Sequence, residues 1–234
     1  KKTGLDAFID RLEPSDRLAA VAIGYGVSTP ITTDRTRVKT ALMQMTGDLQ
    51  STEVLSDFSI AVSEAIEVTN HGIPRGAGNP MFDELSIREC GARPPEQILG
   101  LSCWDLLRQD VIKISDEASD SSSRTFGALR GLLRSLAKVS GPKTLVVVTE
   151  GFLVAQHGAE AAVELGDLAA AAQTTIYILK VDDYTADARV SRRGTAPLED
   201  KRIRRDGPEL LAAVARGSVF DVLGAADSAL KQVE

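Results

Sequence analysis

The chain has 234 residues, 43% of them hydrophobic, which suits one large domain or two small ones with a sizeable core. Its net charge of −6 argues against a nucleic-acid-binding protein, because such proteins present basic surfaces. No apolar run approaches the roughly 20 residues that a membrane-spanning helix needs. With only 4% aromatic residues, the core must consist of Ala, Val, Leu and Ile, the usual material of helices packed on a parallel sheet.

The first 45 residues predict a helix, two strands and a second helix. Apolar residues at helical spacing end at Pro14, which stops the first helix. Residues 18–23 (LAAVAI) predict a buried strand, and residues 27–33 (VSTPITT) follow too closely for a crossover helix, so the two should form a hairpin. Pro30 places the second strand at the edge of the sheet. Asp34 then caps the next helix.

Residues 47–120 are interpreted as a long insertion, because the regular pattern loosens and Gly and Pro cluster at residues 72–80. One helix is predicted within it, at residues 96–118, because the apolar residues there gather on one broad face. Residues 183–207 are predicted to form an irregular basic loop. Most such charged runs are solvated loops; contact with an acidic partner or proteolytic processing is the alternative.

Regular alternation returns at residue 121. A helix beginning near Ser123 leads to residues 144–149 (TLVVVT), the clearest central strand of the chain. Further along, the predicted elements are a helix at 159–172, a strand at 176–181, a helix at 208–216, a strand at 218–222 and a last helix. The whole chain, 1–234, is therefore interpreted as one α/β domain with a doubly wound, mostly parallel sheet, an antiparallel edge hairpin and helices on both faces.

No enzyme motif occurs in the structural context that it needs. Residues 24–26 (GYG) follow a strand, but another strand comes next where a dinucleotide site requires a helix. Residues 141–144 (GPKT) resemble the end of a P-loop but precede their strand and lack its earlier glycine. His71 and His157 have no paired nucleophile. We therefore expect a protein that binds another molecule, not an enzyme.

Two segments separated by one helix and a turn stand out: residues 121–129 (SSSRTFGAL) and 143–151 (KTLVVVTEG). They resemble the von Willebrand factor A family, in which a T-x-T-F-G-A loop leads into a helix and the next strand ends in V-V-V-T-D-G. Ser123 stands for the first Thr and Glu150 for the Asp. The bacterial, usually exported branch called VWFA-related is the most similar. The alternative is another doubly wound α/β domain, since many functions share such folds.

The resemblance implies a metal-ion-dependent adhesion site at the carboxyl ends of the strands, where open α/β sheets generally bind ligands. There Mg²⁺ or Mn²⁺ takes oxygen ligands, and an acidic side chain of a protein partner completes the shell. Ser123 and Glu150 are the candidate metal ligands of this chain. The alternative is that Ser123 caps its helix and that Glu150 is a solvated turn residue.

The family's first strand, with its Asp-x-Ser-x-Ser loop, has no counterpart in this sequence. In the family it lies between the second and fourth strands, so its absence is expected to leave two backbone ladders open. Residues before Lys1, a strand from another chain, or direct pairing of the second and fourth strands could fill the gap. We expect Mg²⁺ or Mn²⁺ to bind this chain weakly or not at all, and to bind once that loop is present.

Cys90 and Cys103 are 13 positions apart inside the insertion. In an exported protein they could form a disulfide that closes a short loop; the alternative is two unlinked thiols, one buried beside Trp104. We expect their Cα atoms within ~7 Å of each other, the reach of a disulfide. The resemblance and the cysteine pair together favour an extracytoplasmic location.

Three functions remain open at this point. The favoured one is an exported adhesion or protein-interaction module of the von Willebrand factor A type. The second is a structural member of that family with a degenerate metal site. The third is a small-molecule α/β enzyme, which would need a deep pocket with a paired nucleophile and base.

Overall fold

A computed structural model describes residues 2–23, 28–45, 56–72, 78–91, 102–154, 158–181, 196–222 and 227–232. Within these ranges the helices and strands are, in chain order, α1 (Lys2–Arg11), α2 (Arg35–Gln44), α3 (Val62–Asn70), α4 (Pro80–Cys90), α5 (Cys103–Leu136), β1 (Lys143–Thr149), α6 (Gly158–Ala171), β2 (Thr174–Val181), α7 (Ala196–Val214), β3 (Val219–Val222) and α8 (Asp227–Leu230). Among these described helices, none is long and apolar enough to span a membrane.

The chain forms two compact units. The first, here called the sheet unit, comprises Lys1–Leu49, Ser123–Asp183 and Arg205–Glu234. The second, here called the helical unit, comprises Gln50–Ser122 and Tyr184–Arg204. Most of the predicted insertion at 47–120 and most of the predicted basic loop at 183–207 thus belong to the helical unit.

The three described strands form one parallel sheet in the order β1-β2-β3. Leu145 of β1 pairs with Ile176 of β2, and Ile178 of β2 pairs with Val219 of β3. The strands predicted at 144–149, 176–181 and 218–222 are therefore confirmed. Their near-continuous apolar sequences are typical of parallel strands, which are covered on both faces.

Helices of the sheet unit pack against each face of this sheet. Successive side chains of a strand point to opposite faces, so Ile176 and Ile178 share one face and Leu179 lies on the other. The first face packs against apolar residues of α5, α6 and α7, namely Phe126, Leu129, Leu133, Ala162, Leu165, Ala169, Leu211, Ala212 and Ala215. The second face packs against residues of α1 and α8, namely Leu5, Phe8, Ala229 and Leu230.

An ion pair joins α5 to α6 in the sheet unit. Arg130 donates from Nε and Nη2 to the two carboxylate oxygens of Glu164, at 2.9 and 2.7 Å. These hydrogen bonds hold the pKa of Glu164 below its ordinary value. The resulting stabilisation is present above the ordinary carboxyl pKa and is lost as the pH falls through the lower folded-state pKa. Both side chains are partly exposed, so the contribution is small.

The strand predicted at 18–23 does not join the described sheet, and the prediction of a fourth parallel strand there is wrong. Two isolated antiparallel bridges instead join this segment to the residues that follow it, Leu18 to Thr32 and Val21 to Ser28. The hydroxyl of Thr29 accepts the N–H of Ala20, and Pro30 has no N–H to donate, so the ladder is interrupted. Residues 24–27, which include the predicted turn, lie outside the described residues.

α5 is one helix where two were predicted, at 96–118 and from Ser123 onward. Ser102 and Asp105 fix its start, because each side chain accepts the backbone N–H of the other. Buried positions keep helical spacing through the serine run, at Leu107, Val111, Ile114, Ser122, Phe126, Leu129 and Leu133. The helix start predicted near Ser123 is therefore wrong, because a continuous buried face outweighs the preference of serine for helix ends. Residues 92–101 lie outside the described residues.

The stretch predicted to be irregular, 183–207, is helical from Ala196 onward, and the helix predicted at 208–216 is its continuation. A Cβ atom at Gly207 would lie 2.3 Å from the carbonyl oxygen of Phe152, so only glycine fits this approach. Gly207 and Pro208 do not mark the helix start expected at 208, because packing against Phe152 explains the glycine and Pro208 lies inside α7. Residues 182–195 lie outside the described residues.

A disulfide links the end of α4 to the start of α5 in the helical unit. Cys90 and Cys103 are bonded, with Cα atoms 5.9 Å apart. The prediction that their Cα atoms lie within bonding reach is confirmed. The bridge fixes the beginning of α5, immediately before Trp104.

The first turn of α3 is capped by a residue far away in the sequence. Asp200 of α7 accepts the backbone N–H groups of Val62 and Ser63, at 3.1 and 2.7 Å. These N–H groups have no partner within their own helix, and a carboxylate also complements the positive end of the helix dipole. Asp200 therefore holds two distant segments of the helical unit together.

Replacing Asp200 with alanine is expected to destabilise the helical unit by about 1–2 kcal/mol, because two N–H groups lose their acceptor. Trp104 lies in this unit and is the single tryptophan of the chain, so its fluorescence during urea unfolding measures the effect. Asp116→Ala removes an exposed carboxylate of α5 and is the matched control, with an expected change below about 0.5 kcal/mol. Equal unfolding midpoints for the two variants would contradict the capping role.

Candidate binding edge of the sheet

The carboxyl ends of the three strands bring a threonine, a lysine and an aspartate into one row. Thr149 of β1 is the register partner of Lys180 of β2, and Lys180 is that of Asp221 of β3. Register partners in parallel strands share a face of the sheet, which here is the face of Ile176 and Ile178. This set, called the edge row below, lies where ligands of open α/β sheets generally bind.

Lys180 is the buried member of the edge row, with 6% of its surface exposed. Burial of a lysine is unusual because the ammonium group loses its hydration. At the other end of the row, Nη2 of Arg205 lies 3.3 Å from Oδ2 of Asp221, and Nε of Arg205 donates to Glu209. Asp221 thus ties α7 to β3. With two cationic groups and a carboxylate, this edge suits charged or polar ligands better than apolar ones.

The turn after β1 is held firmly on both sides of Glu150. The N–H of Gly151 donates to Oγ1 of Thr149 at 3.0 Å. Gly151 has a φ of 114°, a conformation that favours glycine. Phe152 and Leu153 are buried, whereas Glu150 is exposed. The carboxylate of Glu150 is therefore presented to solvent on a fixed backbone at the carboxyl end of the sheet.

Ser123, the other predicted metal ligand, is an exposed residue inside α5. One helical turn further on, the ring of Phe126 packs edge-on against Phe152, with centroids 5.8 Å apart and an interplanar angle of 89°. Because Phe152 follows Glu150 by two positions, this contact lies just beyond the carboxyl end of β1. Joint metal binding by Ser123 and Glu150 stays a prediction.

The oxygen ligands at this edge are too few for Mg²⁺ or Mn²⁺ without others. These ions prefer six oxygen ligands, and Ser123 and Glu150 would supply two. The described residues contain no group of three or more His, Cys, Asp or Glu side chains that could hold a metal ion. Ser123 and Glu150 alone therefore make an incomplete donor set, and water and an acidic group of a partner would have to complete the shell.

Comparisons of this chain with protein-family models, with curated proteins and with solved structures gave no match. The von Willebrand factor A resemblance therefore stands on the sequence segments that suggested it. The general fold class that the resemblance implies, a mixed α/β chain with a parallel sheet, agrees with the described helices and with the sheet of β1, β2 and β3.

Sequence reasoning missed three residues of this edge, Lys180, Arg205 and Asp221. One feature of the sequence could have identified Lys180: it is the single charged residue in the apolar strand 174–181. No feature of the sequence could have identified Arg205 and Asp221, because their pairing depends on where α7 passes the end of β3. Charged residues in a basic stretch are more often solvated than paired.

Proposed function

We propose that this chain is a protein-binding module of the von Willebrand factor A type, whose partner contacts the carboxyl edge of the sheet around Glu150. The observation that carries the proposal is the exposed Glu150 carboxylate, which stands on a fixed turn at the same edge as the edge row. Because the backbone at Glu150 is already fixed, only the side chain loses conformational freedom on binding, which favours recognition.

The architecture supports this placement. β1, β2 and β3 are parallel, so their carboxyl ends share one edge, and helices pack against each face of the sheet. The carboxyl ends of the strands in such a unit are where ligands of open α/β sheets generally bind. The amino-acid composition of the carboxyl edge, with Arg205, Asp221 and Glu150, suits a polar protein surface.

Two modes of contact are distinguished by the role of a divalent cation. In the first, Mg²⁺ or Mn²⁺ lies between Glu150 and an acidic side chain of the partner, and binding requires both the cation and Ser123. In the second, Glu150 pairs directly with a basic group of the partner, and a chelator has no effect. In the first mode this chain supplies two ligands, and the partner's carboxylate and water complete the shell.

Capture from a cell-envelope extract of the source organism tests the proposal. The immobilised chain is expected to retain one specific partner, and Glu150→Ala should weaken that binding at least about tenfold, as for a central contact residue. Asp167→Ala is the matched control, because it removes an exposed carboxylate from the later part of α6. Adding EDTA, and testing Ser123→Ala, separates the two modes.

A partner that binds Glu150→Ala as tightly as the unmodified chain would contradict the proposal. That result would favour a structural role with a degenerate site. Loss of binding by the Asp167→Ala control as well would show that the carboxyl edge is not the specific contact.

We further propose that this module works outside the cytoplasm. The bond between Cys90 and Cys103 supports this location, because disulfides persist in oxidising compartments and are rare in the cytosol. Thiol labelling of the protein from its native cells, before and after reduction, tests the proposal. Free thiols in the unreduced native protein would contradict it.

A further inference from the structure

Two buried side-chain N–H groups of the helical unit have no hydrogen-bond partner. They are Nε1 of Trp104 and Nε of Arg108, and they are the two such buried side-chain atoms in the described part of the chain. Buried donors are almost always paired in folded proteins, because an unmade hydrogen bond forfeits the hydration that was lost on burial. Two unpaired donors in one place therefore point to an acceptor that binds there.

The two donors belong to one patch. Trp104 and Arg108 are four residues apart in the first turns of α5, so their side chains are neighbours on the helix surface. The disulfide at Cys103 and the reciprocal bonds between Ser102 and Asp105 fix the start of this helix. The backbone that carries both donors is thus held in place before any ligand arrives.

The contacts of Arg108 leave the Nε side of its guanidinium without a hydrogen bond. Nη1 donates to Oδ1 of Asp105 at 3.3 Å, and Cζ lies 5.6 Å from the centre of the Phe82 ring. These contacts involve the Nη1 side and one flat face of the group. Nε and Nη2 share another edge, and two parallel N–H groups on such an edge match the two oxygens of a carboxylate.

We propose that Trp104 and Arg108 form a carboxylate-binding site, in which one carboxylate accepts the indole N–H and the Nε–H of Arg108. Both groups are donors only, so the ligand must supply acceptors, and a carboxylate supplies two charged oxygens. Because Nε1 and Nε are covered, neighbouring side chains must move to admit the ligand. The site lies in the helical unit and does not depend on the proposed function of the sheet unit.

The single tryptophan of the chain makes the site directly observable. Emission from Trp104 is followed while the full chain is titrated with succinate and with a blocked Asp-Glu dipeptide. Sodium chloride and sodium phosphate at matched ionic strength serve as comparison anions. We expect a saturable change in emission with both carboxylates and none with chloride or phosphate. Arg108→Gln should weaken carboxylate affinity at least about tenfold, because a charge-assisted hydrogen bond is lost.

Arg134→Gln is the matched control variant, since it removes an exposed arginine from the far end of α5 and should leave the titration unchanged. If Arg108→Gln fails to fold, the ¹H–¹⁵N spectrum of the unmodified chain tests the proposal instead. Its one indole N–H signal should move with added carboxylate and exchange more slowly with solvent. The proposal is overturned by an unmoved indole signal, by an equal response to chloride or phosphate, or by undiminished binding in a folded Arg108→Gln variant.

Discussion

Substituting alanine for Gly217 is expected to lower the free energy of unfolding of the sheet unit by about 3 kcal/mol or more, because the added methyl group overlaps a buried strand. A Cβ atom at Gly217 would lie 1.6 Å from the carbonyl oxygen of Ile176 and 2.6 Å from its carbonyl carbon. Ile176 belongs to β2, the central described strand, and is fully buried. Neither backbone can shift without disturbing the sheet register. Urea unfolding followed by circular dichroism measures the change.

Gly131→Ala provides the control for this substitution. Gly131 lies inside α5 and is exposed, and a Cβ atom added there would have no neighbouring atom within 4 Å, so alanine fits. Alanine also favours the helix, and we expect a stabilisation of about 0.5–1 kcal/mol. If Gly217→Ala unfolded at the same urea concentration as Gly131→Ala, the close approach at Ile176 would be disproved.

Loss of the disulfide between Cys90 and Cys103 is expected to destabilise the helical unit by about 3 kcal/mol, the value for a closed loop of this length. The cysteines are 13 positions apart, so the bridge restricts the unfolded chain over that segment. Trp104 follows Cys103 directly and reports on the same unit. Its fluorescence during urea unfolding, with and without a reducing agent, measures the effect.

The double variant Cys90→Ser, Cys103→Ser distinguishes the effect of losing the disulfide from other effects of the reducing agent. Its unfolding midpoint should match that of the reduced unmodified chain, and a reducing agent should not change it further. An unaltered midpoint in the double variant under oxidising conditions would mean that packing, not the disulfide, holds α4 to α5.

Local patterns were sufficient for the three described strands of the sheet, but they also predicted a strand at 18–23 that does not join it. Residues 144–149 and 176–181 are short apolar runs bounded by turn residues, and both became parallel strands. The helix predicted at 159–172 was found as Gly158–Ala171. The helix starts predicted near Ser123 and at Pro208 were wrong. Serine and proline are common at helix ends, but here they lie inside α5 and α7. At these positions packing along the whole helix outweighed the local preference.

The candidate site was predictable only in part. Glu150 was found because it directly follows a recognisable strand, and the structure leaves it exposed at the expected edge. Lys180, Arg205 and Asp221 became visible only through the strand register and the path of α7. The sequence pattern of Trp104 and Arg108 is that of any amphipathic helix, so their unpaired N–H groups could not be foreseen.

The sequence alone determined features that depend on neighbours along the chain: the apolar runs that became strands and the helical segment between β1 and β2. Tertiary structure decided the features that join distant residues. It aligned Thr149 with Lys180 and Asp221, and it brought Asp200 to the first turn of α3, 137 residues from Ser63. The physical reason is that helix and strand periodicity reflects short-range geometry, whereas a hydrogen bond between remote segments depends on how all the intervening elements pack.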